Sequence, residues 1–336
     1  EEPDGSKTVY TYYPRHWVHT VTTVGKDKQY TTTYNYDAKG NQTEIIDTRG
    51  YKTVKEYDAL QRVTKIVYPE LNSESFEYDT NNNLQIYKDG LFNETVYQYD
   101  RYNRLVSVKN AKDGVTSYGY DRWGNMTRMV NPLGHTYRYQ YDELNRLILE
   151  RNSQGFETHY RYDLAGNRVW SKDPNGTVSV YQYYPNNLLE KIVLKNSDTT
   201  QELQYRYDEA GYRKEVSNGV VITRYNYYND EYVPNPFGRI YRESKTFRSR
   251  TYNVDYQYDV SGRLRGIKYP TGHWVNYEYN DLGQLIKVPG YIDQEPEYDQ
   301  GGLLKSVQAA NGVTTAYQFD KNGRLTLLSY NNQAKI

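Results

Sequence analysis

Alternation of apolar and polar positions is the main pattern of this chain. Residues 136–141 place tyrosine at every second position, between Thr, Arg and Gln. A period of two is typical of a β-strand with one half-buried face. Aliphatic segments such as 147–149 and 264–267 follow, with apolar residues mostly six and nine positions after the preceding tyrosine. That odd offset breaks strict alternation and predicts a β-bulge between paired aromatic and aliphatic strands.

The two kinds of strand recur with a fixed period. Each copy contains aromatic-x-Tyr-Asp, and Gly or Asn usually follows four residues after that Tyr, which we call the anchor tyrosine. The spacing is 21 residues from Tyr36 to Tyr183, becomes irregular, and reaches 31 between Tyr227 and Tyr258. A fixed period of this length predicts a repeat architecture. The predicted structural signature is Tyr36, Asp37, Gly40, Tyr99, Asp100, Tyr120, Asp121, Gly124, Tyr141, Asp142, Tyr162, Asp163, Gly166, Tyr207, Asp208, Gly211, Tyr258, Asp259 and Gly262.

Each copy also contains two predicted turns. The Gly or Asn after the anchor tyrosine tolerates the positive φ of a short hairpin loop with a type I turn followed by a left-handed residue. The Asp of this anchor turn can accept hydrogen bonds from its own turn backbone. A second turn, such as 173–176 or 269–272, has Pro and Gly in turn-compatible places. The repeat unit is therefore a β-hairpin of about 21 residues.

These units predict an all-β fold of tandem hairpins that form a continuous antiparallel sheet. We expect one array over residues 1–336, with about 15 hairpins and a loop insertion at about 229–251. The inserted loop exposes Tyr232, Val233 and Phe237 as a possible contact loop, or it packs down and seals the rim.

Composition supports a sheet without a conventional core. The mean hydropathy is −1.00, but 42 tyrosines supply large apolar rings with a polar tip. Equivalent tyrosines on neighbouring strands, about 4.8 Å apart, are expected to form aromatic ladders. The chain has 42 basic and 42 acidic residues, which argues against a nucleic-acid or anionic-membrane surface. It also lacks an apolar run long enough to insert into a membrane.

The candidate chemistry is sparse. The repeated Asp residues suggest a line of carboxylates for calcium, but there is one per hairpin and each has a turn to cap. The histidines at 16, 19, 135, 159 and 273 have no metal-ligand grouping, although the first two are close in sequence. There is no cysteine, no Gly-x-Ser-x-Gly and no glycine-rich phosphate loop. The sequence therefore predicts no enzyme activity, no cofactor and no metal site.

The repeat resembles the YD repeat of Rhs proteins. The matching pattern is aromatic-x-Tyr-Asp-x-x-Gly-Arg/Asn-Leu followed by a Pro-x-Gly turn, and residues 99–105, 120–126 and 258–264 are clear copies. The resemblance implies a long β-sheet coiled into a hollow shell, of which this chain is an internal segment. Relatives of this kind include Rhs polymorphic toxins, wall-associated contact-inhibition proteins, the B and C components of insecticidal toxin complexes, and teneurins. In the toxin members the shell encloses a C-terminal toxic domain.

One departure bears on function. Toxin-type shells end in an Asp-Pro-x-Gly-Leu-like self-cleavage motif, and the nearest string here, residues 173–177, occupies an ordinary turn position. The resemblance thus implies a non-catalytic segment of an exported bacterial protein, secreted or at the cell surface. Its partners would be further repeats, plug domains and an enclosed toxin outside this chain. In such a shell, outward positions such as Arg138 and Gln140 are expected to be more charged than inward ones.

The alternative is a carbohydrate-binding module. Exposed tyrosine faces would then stack on the sugar rings of a cell-surface glycan.

Overall fold

The computed structural model describes residues 6–70, 72–227, 238–331 and 333–335. These residues contain 32 β-strands and no helix, so the predicted all-β class is confirmed. No helix long and apolar enough to cross a membrane occurs among them.

The strands follow each other with short connections in most of the chain. The first sixteen are β1 (Lys7–Tyr12), β2 (Val18–Val24), β3 (Gln29–Tyr36), β4 (Gln42–Ile46), β5 (Lys52–Tyr57), β6 (Val63–Val67), β7 (Ser73–Tyr78), β8 (Leu84–Lys88), β9 (Glu94–Tyr99), β10 (Leu105–Lys109), β11 (Val115–Tyr120), β12 (Met126–Val130), β13 (Thr136–Tyr141), β14 (Leu147–Arg151), β15 (Glu157–Tyr162) and β16 (Arg168–Lys172). The others are β17 (Val178–Tyr183), β18 (Leu189–Lys195), β19 (Thr200–Tyr207), β20 (Arg213–Ser217), β21 (Val221–Asn226), β22 (Arg242–Phe247), β23 (Arg250–Tyr258), β24 (Leu264–Lys268), β25 (Trp274–Asn276), β26 (Glu278–Tyr279), β27 (Leu285–Lys287), β28 (Glu297–Tyr298), β29 (Leu304–Gln308), β30 (Thr314–Phe319), β31 (Leu325–Tyr330) and β32 (Gln333–Lys335).

The sheets are antiparallel hairpin meanders. Strands β1–β25 belong to one 25-stranded sheet, β26 and β27 form a pair, and β28–β32 form a five-stranded sheet. Aromatic strands end at an anchor tyrosine, and the following aliphatic strand pairs with them. In β15 and β16, Arg161 faces Trp170 whereas Tyr162 faces Arg168, so the register shifts by one residue at the anchor. The same shift recurs in many other hairpins, and it is the predicted β-bulge.

Most anchor turns and second turns share one geometry. In the anchor turn after β13, Asn145 N–H donates to Asp142 O at 3.0 Å, and Asn145 has φ 61°. In the second turn after β16, Gly176 N–H donates to Asp173 O at 3.0 Å, and Gly176 has φ 85°. Both are type I turns followed by a left-handed residue, as predicted. Residues 173–176 are therefore an ordinary hairpin turn.

The chain divides into two compact units. Unit 1 comprises Glu1–Glu77, Ile86–Asn93 and Tyr256–Ile336, and unit 2 comprises Tyr78–Gln85 and Glu94–Asp255. Val275 and Val288, both in unit 1, are the buried hydrophobic residues in the described part of the chain. In unit 2 the residues of β13 alternate instead, with half-buried tyrosines and exposed Arg138 and Gln140. Backbone hydrogen bonds and half-buried rings therefore take the place of a dense core.

The expected aromatic ladder is wrong in its spacing. Aromatic strands alternate with aliphatic ones, so that Tyr139 of β13 faces Glu150 of β14, and Tyr137 faces Met129 of β12. Equivalent anchor tyrosines thus lie two strands apart, roughly 10 Å rather than 4.8 Å. Other contacts must hold the anchor rings.

The irregular region is described in part. The proposed contact residues Tyr232, Val233 and Phe237 lie outside the described residues. On either side, Asn226 of β21 pairs with Arg242 of β22, and β22 continues into β23 through a two-residue turn at 248–249 whose φ values are 47° and 67°. The extent of the insertion stays a prediction.

Candidate functional site

The anchor-turn aspartates cap their own turns. Asp142 Oδ1 accepts the backbone N–H groups of Leu144 and Arg146, both at 2.9 Å. Its Oδ2 accepts Arg146 Nε–H at 2.7 Å. The signature aspartates that accept backbone N–H groups of their own turns are Asp37, Asp100, Asp121, Asp142, Asp163, Asp208 and Asp259. The carboxylates that the sequence suggests as calcium ligands therefore accept hydrogen bonds from their own turns.

The caps lower the pKa of several of these carboxyl groups. The Asn167 side-chain amide holds the pKa of Asp163 below its ordinary value, and burial acts more weakly in the opposite direction. At Asp58, the Arg62 backbone N–H has the largest effect and again lowers the pKa. The carboxylates are therefore stabilised as anions in the folded chain.

We expect stability to fall in acid. Because the folded pKa values lie below the unfolded ones, the caps contribute fully above the unfolded pKa, and this contribution is lost as pH falls through the folded values. The urea midpoint should be constant from pH 7 to pH 5 and should decrease below about pH 4. An unchanged midpoint down to about pH 2.5 would contradict this.

Several anchor tyrosines reach back to the preceding hairpin. Tyr141 Oη–H donates to Met126 O at 3.0 Å, and burial raises the pKa of Tyr141. The same bond, to a carbonyl fifteen residues earlier, is made by Tyr57, Tyr99, Tyr120, Tyr162, Tyr183 and Tyr279. Sequence reasoning missed this bond, although the fixed offset of the aliphatic strand provides its signal.

A second tyrosine position can also be engaged. Tyr160 Oη–H donates to Glu150 at 2.6 Å. Burial and this bond raise the pKa of Tyr160 to about 12, so Tyr160 stays neutral under ordinary conditions.

Replacing Tyr141 with phenylalanine should lower the free energy of unfolding by about 1 kcal/mol, because Met126 O loses its side-chain donor. Chemical denaturation would measure this. Tyr252→Phe is the control, since Tyr252 lies 48% exposed on β23. An equal loss in both variants would show that the hydrogen bond to Met126 contributes nothing.

The last residue of five anchor turns links successive hairpins of unit 2. Arg104 Nη1 donates to Asp121 O at 2.9 Å and Arg146 Nη1 to Asp163 O at 2.8 Å. Each guanidinium also stacks on the next anchor ring, as Arg104 does on Tyr120 at 4.8 Å. These cation–π contacts replace the expected ladder.

Asparagine takes the same place in the alternate hairpins. Asn125 Nδ2 donates to Asn145 Oδ1 at 2.7 Å, and Asn167 donates to Asn187 at 2.8 Å. The links therefore alternate between Asn and Arg along this edge. The alternation is visible in the sequence at residues 83, 104, 125, 146 and 167. Nothing in the local sequence indicates that these residues link neighbouring hairpins.

Unit 1 brings together hairpins that are far apart in sequence. Arg49 lies in the second turn after β4, and its side chain is 13% exposed. Its Nη1 donates to Asp320 O at 3.0 Å and its Nη2 to Lys321 O at 2.8 Å. Lys321 N–H donates to Glu70 at 2.9 Å, and Thr48 Oγ1 donates to Gly301 O at 3.0 Å. We call these contacts the seam of unit 1.

Two cavities of unit 1 lie near turns. One, of about 460 Å³, includes Asp47, Tyr51, Glu74 and Arg324 in its lining. The other, of about 540 Å³, is lined by residues that include Tyr13, Arg15, Trp17 and Tyr36. Trp17 and the anchor Tyr36 have ring centroids 5.4 Å apart. The second cavity is thus lined by three aromatic rings and by the cationic side chain of Arg15.

Metal ligands do not converge in the described ranges. No group of three or more His, Asp or Glu residues that could hold an ion occurs there. His19 packs on Tyr13 at 4.5 Å between ring centroids, and His159 Nε2 lies 3.2 Å from Glu157. These histidines have structural neighbours.

The repeated hairpins, turn caps and bulges define a tandem β-hairpin repeat protein. The RHS Repeat family profile matches residues 36–73, 99–136, 120–156, 141–178 and 298–334. Mouse (Mus musculus) teneurin-1 is 24% identical over 104 residues, 29% of this chain and 4% of teneurin-1. Human (Homo sapiens) teneurin-4 is 29% identical over 90 residues, 24% of this chain and 3% of teneurin-4.

Solved structures share the fold over nearly the whole chain. The structure of TcdB2-TccC3 without its hypervariable C-terminal region aligns with a TM-score of 0.80 and 13% identity, over 97% of this chain and 20% of that one. A Photorhabdus luminescens Tc holotoxin pore structure aligns with a TM-score of 0.74 and 16% identity, over 97% and 18%. The family profile, the teneurins and the Tc toxin structures together support a segment of the Rhs/YD-repeat type. The chain spans a fifth or less of the length of these relatives.

Proposed function

We propose that this chain is a non-catalytic shell segment of a large exported Rhs/YD-repeat protein, secreted or at the cell surface of a bacterium. The shell would help to encapsulate and deliver a C-terminal toxin domain outside this chain. The observation that carries this is the fold match to TcdB2-TccC3 over 97% of the chain. Partners would be further repeats, plug domains and the enclosed toxin.

The chemistry of the repeats supports a passive wall. The signature aspartates cap turns, and anchor tyrosines such as Tyr141 bond to backbone carbonyls. Such groups are occupied in holding the sheet and are not free for catalysis. A single array over residues 1–336, with an insertion at about 229–251, is part of this proposal.

Protease protection in the full-length polypeptide that carries this segment tests the proposal. Its C-terminal domain should resist trypsin at concentrations that digest a free copy of that domain. Arg49→Ala, which breaks the seam of unit 1, should accelerate cleavage, whereas Lys112→Ala in another second turn should not. Digestion as fast as that of the free copy would overturn encapsulation.

The aromatic cavity of unit 1 favours a second candidate function, carbohydrate binding. Tyr13, Trp17 and Tyr36 offer ring faces to a sugar, and Arg15 lies over the Trp17 ring at 5.4 Å. A glycan array would detect sub-millimolar binding that Trp17→Ala abolishes and Trp123→Ala preserves. If no glycan binds, the carbohydrate-binding proposal is wrong and only the shell role remains.

A further inference from the structure

Unit 2 exposes a row of apolar side chains along its anchor-turn edge. Tyr102, Trp123 and Leu144 each stand two residues after the turn aspartate and are 63%, 65% and 67% exposed. Leu164, next to Asp163, is fully exposed. Strands β9–β16 pair consecutively, so successive anchor turns are about 10 Å apart and the row is roughly 30 Å long. A row of this kind is unusual for a surface facing only water.

Neighbouring arginines support the two rings. Arg101 stacks on Tyr102 at 4.7 Å from the ring centroid, and Arg122 stacks on Trp123 at 3.9 Å. One face of each ring is therefore held by a cation of the same turn. Large aromatic residues held in this way are the kind that anchor protein interfaces.

Unit 1 shows what covers the same turn position. Leu282 stands two residues after Asn280, which bonds to its turn as the aspartates do, but Leu282 is half-buried. It packs on Gly25 in the second turn between β2 and β3, where a Cβ would lie only 2.9 Å from Leu282 Cγ. Lys26 N–H donates to the carboxylate of Asp281 in the same contact. An anchor turn is thus covered by a second turn.

In the seam of unit 1, anchor turns again contact a second turn. The anchor turns at 299–302 and 320–323 contact the second turn at 47–50, through Thr48 and Arg49. In each contact, later hairpins contribute anchor turns and earlier hairpins contribute second turns. The two edges of a hairpin array are therefore complementary.

We propose that Tyr102, Trp123, Leu144 and Leu164 form a docking edge for the second turns of a second copy of this chain. The second-turn edge of unit 2 has the matching features: Leu133 is 79% exposed, and a Cβ on Gly134 would meet open space. This chain offers both edges, so a second copy docks head to tail. The inference concerns assembly of the wall and does not require an enclosed guest.

Sedimentation velocity of this chain tests the proposal, with a second copy as the probe. We expect concentration-dependent association up to about 100 µM. The combined variant Tyr102→Asn, Trp123→Asn and Leu144→Asn should weaken it by about tenfold or more. Asn81 and Asn322 occupy the equivalent position in two other anchor turns, so the substitution suits the turn.

Two further variants make the result decisive. Leu133→Asn with Phe156→Asn alters the opposite edge and should also weaken association, because both edges take part. Tyr252→Thr changes an exposed tyrosine on strand β23 and should leave association unchanged. A monomer at all concentrations overturns the proposal, and so does association that neither edge variant affects, which would indicate pairing of terminal strands.

Discussion

Replacing Arg49 with alanine is expected to lower the free energy of unfolding of unit 1 by about 3–4 kcal/mol. Arg49 donates to the carbonyls of Asp320 and Lys321 and pairs with Asp47 at 3.1 Å. It also stacks on Tyr51 at 4.9 Å. Alanine removes all four contacts at once and leaves Asp47 without its cation.

Hydrogen exchange would locate this loss. Faster exchange is expected in β29–β31 and β4–β5, with no change in β9–β16 of unit 2. Lys112→Ala is the matched control, because Lys112 stands at the same second-turn position and is exposed. Arg49→Lys should recover only part of the stability, since an ammonium cannot reproduce the planar fork. Uniformly faster hydrogen exchange in both units would contradict a local stabilising role of the seam.

Asp142→Ala should lower the melting temperature by about 5 °C. The substitution removes acceptors for Leu144 N–H, Arg146 N–H and Arg146 Nε–H. It also frees Arg146, whose bond to Asp163 O joins the next hairpin. The effect should therefore extend over two hairpins.

Calorimetry with two companion variants would separate these contributions. Asp142→Asn keeps the Oδ1 acceptor and should cost less than half as much, as Asn131 and Asn152 already cap second turns in this way. Glu143→Ala changes the adjacent exposed acid and should have no effect. Equal losses for Asp142→Asn and Asp142→Ala would assign the stabilisation to the ion pair with Arg146 and not to the cap.

The hairpins could be predicted from local sequence because each one is built from local interactions. Asp142 bonds within its own turn, and Asn145 or Gly166 supplies the left-handed residue three positions on. The offset of Leu147 from Tyr141 was enough to indicate the bulge. Because these signals recur along the chain, the fold class can be predicted from the sequence.

The contacts between hairpins are harder to predict from the sequence. Arg49 holds residues about 270 positions away, and nothing in its own turn distinguishes it from Lys112. The predicted ladder spacing is wrong for a different reason: an aliphatic strand lies between successive aromatic strands and doubles the distance between equivalent tyrosines. The residues 232, 233 and 237 of the predicted contact loop lie outside the part of the chain that the structure describes.

The alternation of Asn and Arg at the anchor edge constrains how such arrays change length. In unit 2, the turns ending in Arg104 and Arg146 carry Asn103 and Asn145 at their left-handed position, whereas Gly124 and Gly166 stand in the turns between them. Asn125 needs the Asn145 amide as its acceptor, while Arg146 needs only a backbone carbonyl. Duplicating the hairpin that carries Asn125 would place Gly where Asn145 supplies the acceptor, and that link would be lost. Duplicating the hairpin that carries Arg146 would keep every link, because a backbone carbonyl is present in any next turn.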